Sequence, residues 1–400
     1  MLKIAFKTVF DRAVISILLF AVWTVQVCLA QPTLKGNLLS SAQANSDRNS
    51  TRLREAVHIA DFILNLQTAD GAIPDRPGVT TVNEDSNMEY ALMGLGAAYL
   101  ATKDQRYRDG LESGIRWLAA RQEMTDPVWR GSWRYVYSAV PPFAAIPTSA
   151  GEGIKDVRGV DATSTLFVYL LYLHERVTHT DTLARRYDTN AKAALDFVIR
   201  RNLDKDGFSQ SSWQQRASDG QWHIYAFKYS ADQGDVYLGM KAGSILYHVA
   251  KYERIATFLK ASAPRRFFAK AEGRYALGLN EKGDLDHTPY VFAQGYLPWI
   301  WGDSPENREA LSRLQSKIQR DGSLVEPDDK PASSLSVAML CLGEAALGQT
   351  PPSQSLKWLL TVLYDSGTGG VRETADPKTY EYDNVAGFCL MSLVSFLPFE

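Results

Sequence analysis

The groups in this chain that could do chemistry are carboxylates placed just ahead of apolar runs. Glu84, Asp85 and Glu89 lead into Tyr90–Leu100, and Asp161 opens Asp161-Ala-Thr-Ser164 before Leu166–Leu173. Asp232 and Asp235 lie at the head of the run from Val236 to Ala250, and Asp383 and Asn384 stand before Val385–Phe388. Two carboxyls across a glycosidic bond can divide the work of hydrolysis: one protonates the leaving oxygen, the other activates water or attacks. The same acids also suit a plainer task. An Asp at a helix start accepts hydrogen bonds from free N–H groups and meets the positive end of the helix dipole, worth about 1 kcal/mol. Ser or Thr would cap equally well, yet three separate apolar runs carry acids. Asp161 and Asp232, on consecutive runs, are therefore the expected acid–base pair, with Asp85 the next candidate.

Aromatic and polar residues surround these acids in sequence. Long loops carry Trp129, Trp133, Tyr135, Tyr137, Trp213, Trp222, Tyr225 and Tyr229, and Trp299 and Trp301 follow Gln294. Sugars stack their C–H faces on such rings, although rings in loops also serve simply to pack the loop down. Glu89, Asp235, Gln294 and Asn384 complete the expected substrate-binding set. Arg130, Arg134 and Arg158 would hold an acidic sugar or pair with the carboxylates. A uronate lyase or epimerase would instead rely on Tyr229, His223 and Arg158, with a base removing a proton beside a neutralised carboxylate.

Other chemistries have little footing. The six His show no HExxH or paired metal spacing, and neither a GxSxG elbow nor a P-loop occurs. Gly94-Leu-Gly96 falls inside a helical pattern rather than after a strand, which argues against a dinucleotide fingerprint. No metal and no cofactor is expected. With 22% charged residues and a formal net charge of −2, nothing attracts nucleic acid.

The elements that position the acids follow from periodicity. Leu53, Ala56, Val57, Ala60, Ile63 and Leu64 form a one-sided helix, which stops at Asp70-Gly71. A polar loop follows, then Tyr90–Leu100, apolar on every side and hence buried. Amphipathic helix, turn, long loop, buried helix: this unit recurs about six times through residues 51–400. The fourth copy is weaker, because Pro298 shortens or breaks its buried helix. Buried helices must form an inner ring and one-sided helices an outer ring. Connections from inner to outer are short and those from outer to inner long, so all inner N-termini share one rim with the acids. Glycines inside the inner helices (Gly94, Gly96, Gly239, Gly243, Gly343, Gly387) cost helix propensity and imply close helix contact.

The alternating units, the Asp-Gly turns and the acid-bearing inner N-termini together resemble the (α/α)6 toroids of the six-hairpin glycosidase superfamily. The resemblance implies an all-α toroid over nearly the whole chain, with a saccharide held at the inner N-termini and a pair of acids doing acid–base work. The function expected is an inverting glycoside hydrolase acting on a poly- or oligosaccharide. The rivals are a lyase or epimerase on the same scaffold, or a glycan-binding or export scaffold with no activity.

The N-terminus differs in kind. Lys3, Lys7 and Arg12 precede an apolar run from Ala13 to Ala30, the pattern of an export signal spanning 1–30. Uncleaved, that run approaches the ~20 residues that span a bilayer and would be the chain's one membrane contact. Residues 31–50, rich in Ser, Asn and Gln, read as a flexible leader. A secreted or periplasmic location is expected. Cys341 and Cys389, inside helical patterns, read as packing thiols.

Overall fold

The computed structural model describes residues 50–325, 332–376 and 378–399. The stretch 1–30 expected to be an export signal and nearly all of the expected leader lie outside the described residues. Chain contacts divide the protein into residues 1–54, of which 50–54 are helical, and residues 55–400.

The larger unit is a double ring of helices. The outer members are α1 (residues 55–66), α3 (Gln105–Arg121), α6 (Asp188–Arg201), α8 (Ala250–Arg266), α10 (Pro305–Gln315) and α12 (Ser353–Trp358), which continues as a π-turn to Leu363. The inner members are α2 (Asn87–Thr102), α4 (Asp161–Thr178), α7 (Ser230–Tyr247), α9 (Val291–Trp301), α11 (Ser334–Ala346) and α13 (Asp383–Leu393). A short α5 (Thr182–Arg186) interrupts one turn. Each inner helix packs on the next, α2 on α4, α4 on α7 and so on to α11 on α13, and α13 returns to α2. The all-α toroid of six hairpins is thus present, and its ring closes on itself.

Composition explains the layers. α2 is buried from Met88 to Ala98 on all sides, whereas α3 buries Tyr107, Leu111, Ile115 and Leu118 and leaves its Arg and Asp outside. Inner helices approach closely where glycines meet. A Cβ on Gly94 would stand 2.9 Å from the Gly387 Cα, and one on Gly239 would stand 2.4 Å from the Thr165 carbonyl oxygen. Cys341 and Cys389 are buried free thiols on the neighbouring helices α11 and α13. Pro298 lies within α9, which is short at 11 residues and unbroken.

Connections at one rim are mostly short, two residues at Lys103–Asp104 between α2 and α3 and six between α11 and α12. Those at the other are long, as across residues 122–160, and contain all the β-structure. β1 (Thr81–Val82) pairs with β2 (Tyr137–Ser138). β3 (Ile154–Arg158), β4 (Ser212–Arg216) and β5 (Trp222–Tyr225) form an antiparallel sheet in that order. β6 (Lys228–Tyr229), β9 (Gly278–Leu279) and β10 (Leu285–Asp286) form another, and β7 (Phe268–Ala269) pairs with β8 (Arg274–Tyr275). These small sheets stiffen the loops that surround the inner N-termini.

Candidate active site

A cavity of about 230 Å³ opens at the rim of the inner N-termini. Its lining comes from all six hairpins: the acids Asp85, Asp232 and Asp235, the amides Asn87 and Asn384, and the rings Tyr90, Tyr290, Phe292 and Phe388, with Ala162, Ala231 and Leu335 between them. Larger depressions of about 690 and 790 Å³ lie at the other rim, where α4 and α7 end. Their charges are mutually paired, Arg185 with Asp181 and Lys192 with Asp188, so they present open polar surface.

Asp85 is held on a strained loop. Asn83, Asp85 and Ser86 all have left-handed backbones (φ 63°, 50° and 67°), each costing of the order of 1–3 kcal/mol for a residue with a side chain. Buried neighbours fix that conformation. Asp75 accepts from the Glu84 N–H at 3.0 Å, and Asn83 accepts from the Met88 N–H at 3.1 Å while donating to Glu89 at 3.2 Å. Ser86 and Thr163 share a hydroxyl hydrogen bond of 2.8 Å. The result is an Asp85 carboxyl open to the cavity though set deep in the molecule.

Asp232 and Asp235 stand one turn apart on α7, so both face the cavity. Asp235 is nearly fully buried and receives two phenols: Tyr90 Oη donates to both its oxygens at 3.1 Å, and Tyr296 Oη donates to Oδ1. The rings are packed in turn, Phe292 against Tyr296 at 4.6 Å and Tyr90 against Phe388 at 4.7 Å between centroids. The floor is rigid.

Burial and mutual repulsion push these acids up together. Asp85 is raised by burial. Asp232 reaches about 7, through burial first and the Asp85 charge second, with Ser211 hydrogen bonding opposing both. Asp235 rises well above the carboxylate range through burial and then Asp232, against its tyrosine donors. A carboxyl that titrates near 7 beside a second one suits general acid catalysis.

Of the residues expected from sequence, Asp85, Asp232, Asp235 and Asn384 line the cavity. Asp161 does not. It is fully buried at the first position of α4, accepts from the Ala162 N–H at 2.9 Å, and lies close enough to Asp232 for the two charges to repel. Glu89 is also fully buried, and through Asn83 it supports the Asp85 loop rather than reaching a ligand. Its pKa is pushed to about 8, mainly by burial. Tyr135 and Tyr229 are half-buried beside the cavity, each within reach of the Asp85 charge.

Several expected binding residues turn out to build the walls. Trp133 is buried and donates to the Leu118 carbonyl at 2.8 Å; Trp299, near the far end of α9, donates to Phe396 at 2.8 Å. Gln294 clasps the backbone of Tyr275 at both N–H and C=O and reaches the Tyr290 carbonyl. Trp213 and Trp222 pack edge-on to Trp129, with Arg201 over Trp213 at 4.0 Å and Arg158 over Trp129 at 4.2 Å. Arg158 therefore anchors the β3–β4–β5 sheet, and burial lowers its pKa to about 10. Tyr225 is exposed and stacks on Phe227, and His223 is held at the surface by Asp219 at 2.9 Å. Of the residues a lyase would need, Arg158 and His223 are thus absent from the cavity lining, while Tyr229 stands beside it.

The sequence reading missed Tyr90, Tyr290, Phe292, Tyr296 and Phe388. For Tyr90 and Phe388 the one signal was position, within two turns of an acid at an inner-helix start; α9, which carries Phe292 and Tyr296, has no acid in its first turn.

No protein-family model and no curated protein matches this sequence. Its fold, however, is that of known (α/α)6 toroid enzymes of the six-hairpin glycosidase type. A cellobiose 2-epimerase from Bacillus thermoamylovorans superposes with a TM-score of 0.64 at 14% identity, over 87% of this chain and 99% of its own. An unsaturated glucuronyl hydrolase from Bacillus sp. GL1 gives 0.59 at 13% identity, over 85% and 96% respectively. A wild-type glycosidase gives 0.59 at 14% identity, over 86% and 96%.

Proposed function

We propose that this protein is a carbohydrate-active enzyme, a glycoside hydrolase that works through Asp232 and Asp85 with inversion at the anomeric carbon. The observation that carries the reading is one cavity in which Asp232, raised to about 7, faces a second, solvent-open carboxyl and a wall of aromatic rings. Hydrolases and an epimerase of sugars share the fold, which supports the substrate class.

Asp232, protonated near neutral pH, gives its proton to the departing glycosidic oxygen. Asp85, open to water, takes a proton from the water that attacks the anomeric carbon from the other side. Asp235, fixed by Tyr90 and Tyr296, accepts from sugar hydroxyls when ionised and donates when protonated, and in either state its position stays the same.

The test is release of reducing sugar from a glycan panel by wild type, with the first-formed anomer followed by proton NMR. Cleavage by wild type and its loss in both Asp85→Asn and Asp232→Asn supports the reading. A first product that keeps the substrate's anomeric configuration refutes inversion. Unsaturated or epimerised products from wild type refute hydrolysis itself. The N-terminal signal adds that the enzyme acts outside the cytoplasm; a mature N-terminus at Gln31 on the exported protein would support cleavage, and retention of the full chain inside the cell would refute it.

A further inference from the structure

The cavity that serves the hydrolase reading is small, and it is lined by acids without a base among the described residues. A drug-sized ligand occupies a pocket of ~300–1,000 Å³, whereas this one measures about 230 Å³. That takes one pyranose ring and leaves no room for a second. Its polar lining is three carboxyls and two amides; among the described residues no Arg, Lys or His lines it.

The basic groups on the surrounding loops are engaged elsewhere. Lys228 is buried between Asp204 and Asp206 at 2.8 and 2.6 Å, and Arg134 is bound to Asp156. Arg76 lies over the Tyr380 ring at 3.6 Å. A carboxylate on a bound sugar would therefore meet carboxyls and rings, with no cation among the described lining residues to neutralise it. Burying a carboxylate without a paired cation is costly.

We infer that the cavity receives a single terminal sugar residue that bears no carboxylate, so that the enzyme trims neutral or amino sugars from a chain end and rejects uronic acids. This deepens the hydrolase reading and rests on the same cavity. It also separates this chain from the glucuronyl hydrolase whose fold it shares.

The test is binding, read apart from turnover. Saturation-transfer NMR and calorimetry on the full exported chain would compare glucose, galactose, mannose and glucosamine with glucuronate, galacturonate and mannuronate. At least one of the uncharged or amino sugars is expected to bind, with its matched uronate weaker by ~100-fold or more. Asp85→Asn, which keeps the shape of the side chain and removes the solvent-open carboxylate, is expected to narrow that ratio by ~10-fold. A uronate that binds as tightly as its neutral partner overturns the inference, as does a panel of which no member binds. With a labelled oligosaccharide, monosaccharide as the first product agrees with it, and mid-chain cutting overturns the single-residue pocket. Binding in the expected order with no cleavage of any glycoside would instead sink the hydrolase reading and leave the pocket's selectivity standing.

Discussion

Replacing Asp232 with Asn tests the proton donor most directly. Moving a carboxyl from 3.8 to about 7 disfavours its ionised form by about 4 kcal/mol, at 1.36 kcal/mol per pKa unit. Near neutral pH that places the proton where a departing oxygen can collect it. General acid catalysis contributes ~100- to 10,000-fold, so kcat/KM of the Asn variant should fall by that factor, or ~3–5 kcal/mol. Wild-type kcat/KM should decline on the alkaline side with an apparent pKa near 7, because the productive form is protonated, and the variant should lack that limb. An aryl glycoside whose leaving group needs no protonation should lose far less. The assay is initial rates from pH 4 to 9 on a natural glycan and on a nitrophenyl glycoside. The reasoning is refuted if the alkaline limb persists in the variant, or if both substrates lose activity equally. Stability supplies an independent check. A carboxyl whose pKa is raised by folding favours the folded state fully below its unfolded value of 3.8, and that contribution is lost as pH rises through about 7. The Asn variant should therefore melt several degrees above wild type at pH 8, with the gap closing toward pH 4.

Further expectations concern the scaffold. Asn83→Ala removes the partner of the Met88 N–H and of Glu89, and should cost ~1–3 kcal/mol in urea unfolding while lowering kcat through a loosened Asp85. Gly239→Ala drives a methyl into the Thr165 carbonyl between α4 and α7; a loss of ~1–3 kcal/mol is expected by calorimetry, and unchanged stability would contradict the close approach. Trp133→Phe deletes the bond to Leu118 and leaves a small void where the larger ring packed, so melting temperature should fall with KM unchanged; a raised KM would return Trp133 to the binding site.

The architecture was legible because the sequence repeats it. Six alternations of one-sided and all-apolar helices, punctuated by Asp-Gly turns, leave few arrangements other than a double ring. The site was legible only in part, and Asp161 and Asp232 show why. Both sit in the first turn of an inner helix, so periodicity describes them alike. Register separates them: Asp232 is the third residue of α7 and reaches the cavity, while Asp161 is the first of α4 and is buried behind it. Tyr90 and Phe388 were hidden for the opposite reason, since a ring at the end of a buried helix has the same pattern whether it faces core or ligand. The indoles misled because loops as long as residues 122–160 fold on themselves, and Trp129, Trp213 and Trp222 satisfy one another across a sheet whose strands of four or five residues are too brief to announce themselves.

Contact of α13 with α2 has a consequence for how the molecule is made. Asn384 and Phe388 on one side of the pocket come from the last hairpin, Asp85 and Tyr90 on the other from the first, and some three hundred residues separate them in the chain. Among the described residues nothing covalent joins these two stretches, so the seam can shut only once the sixth hairpin has been made. A chain that stops before it carries Asp85 and Asp232 yet lacks the wall that Asn384 and Phe388 supply. Completion of the pocket is thereby tied to having all six hairpins.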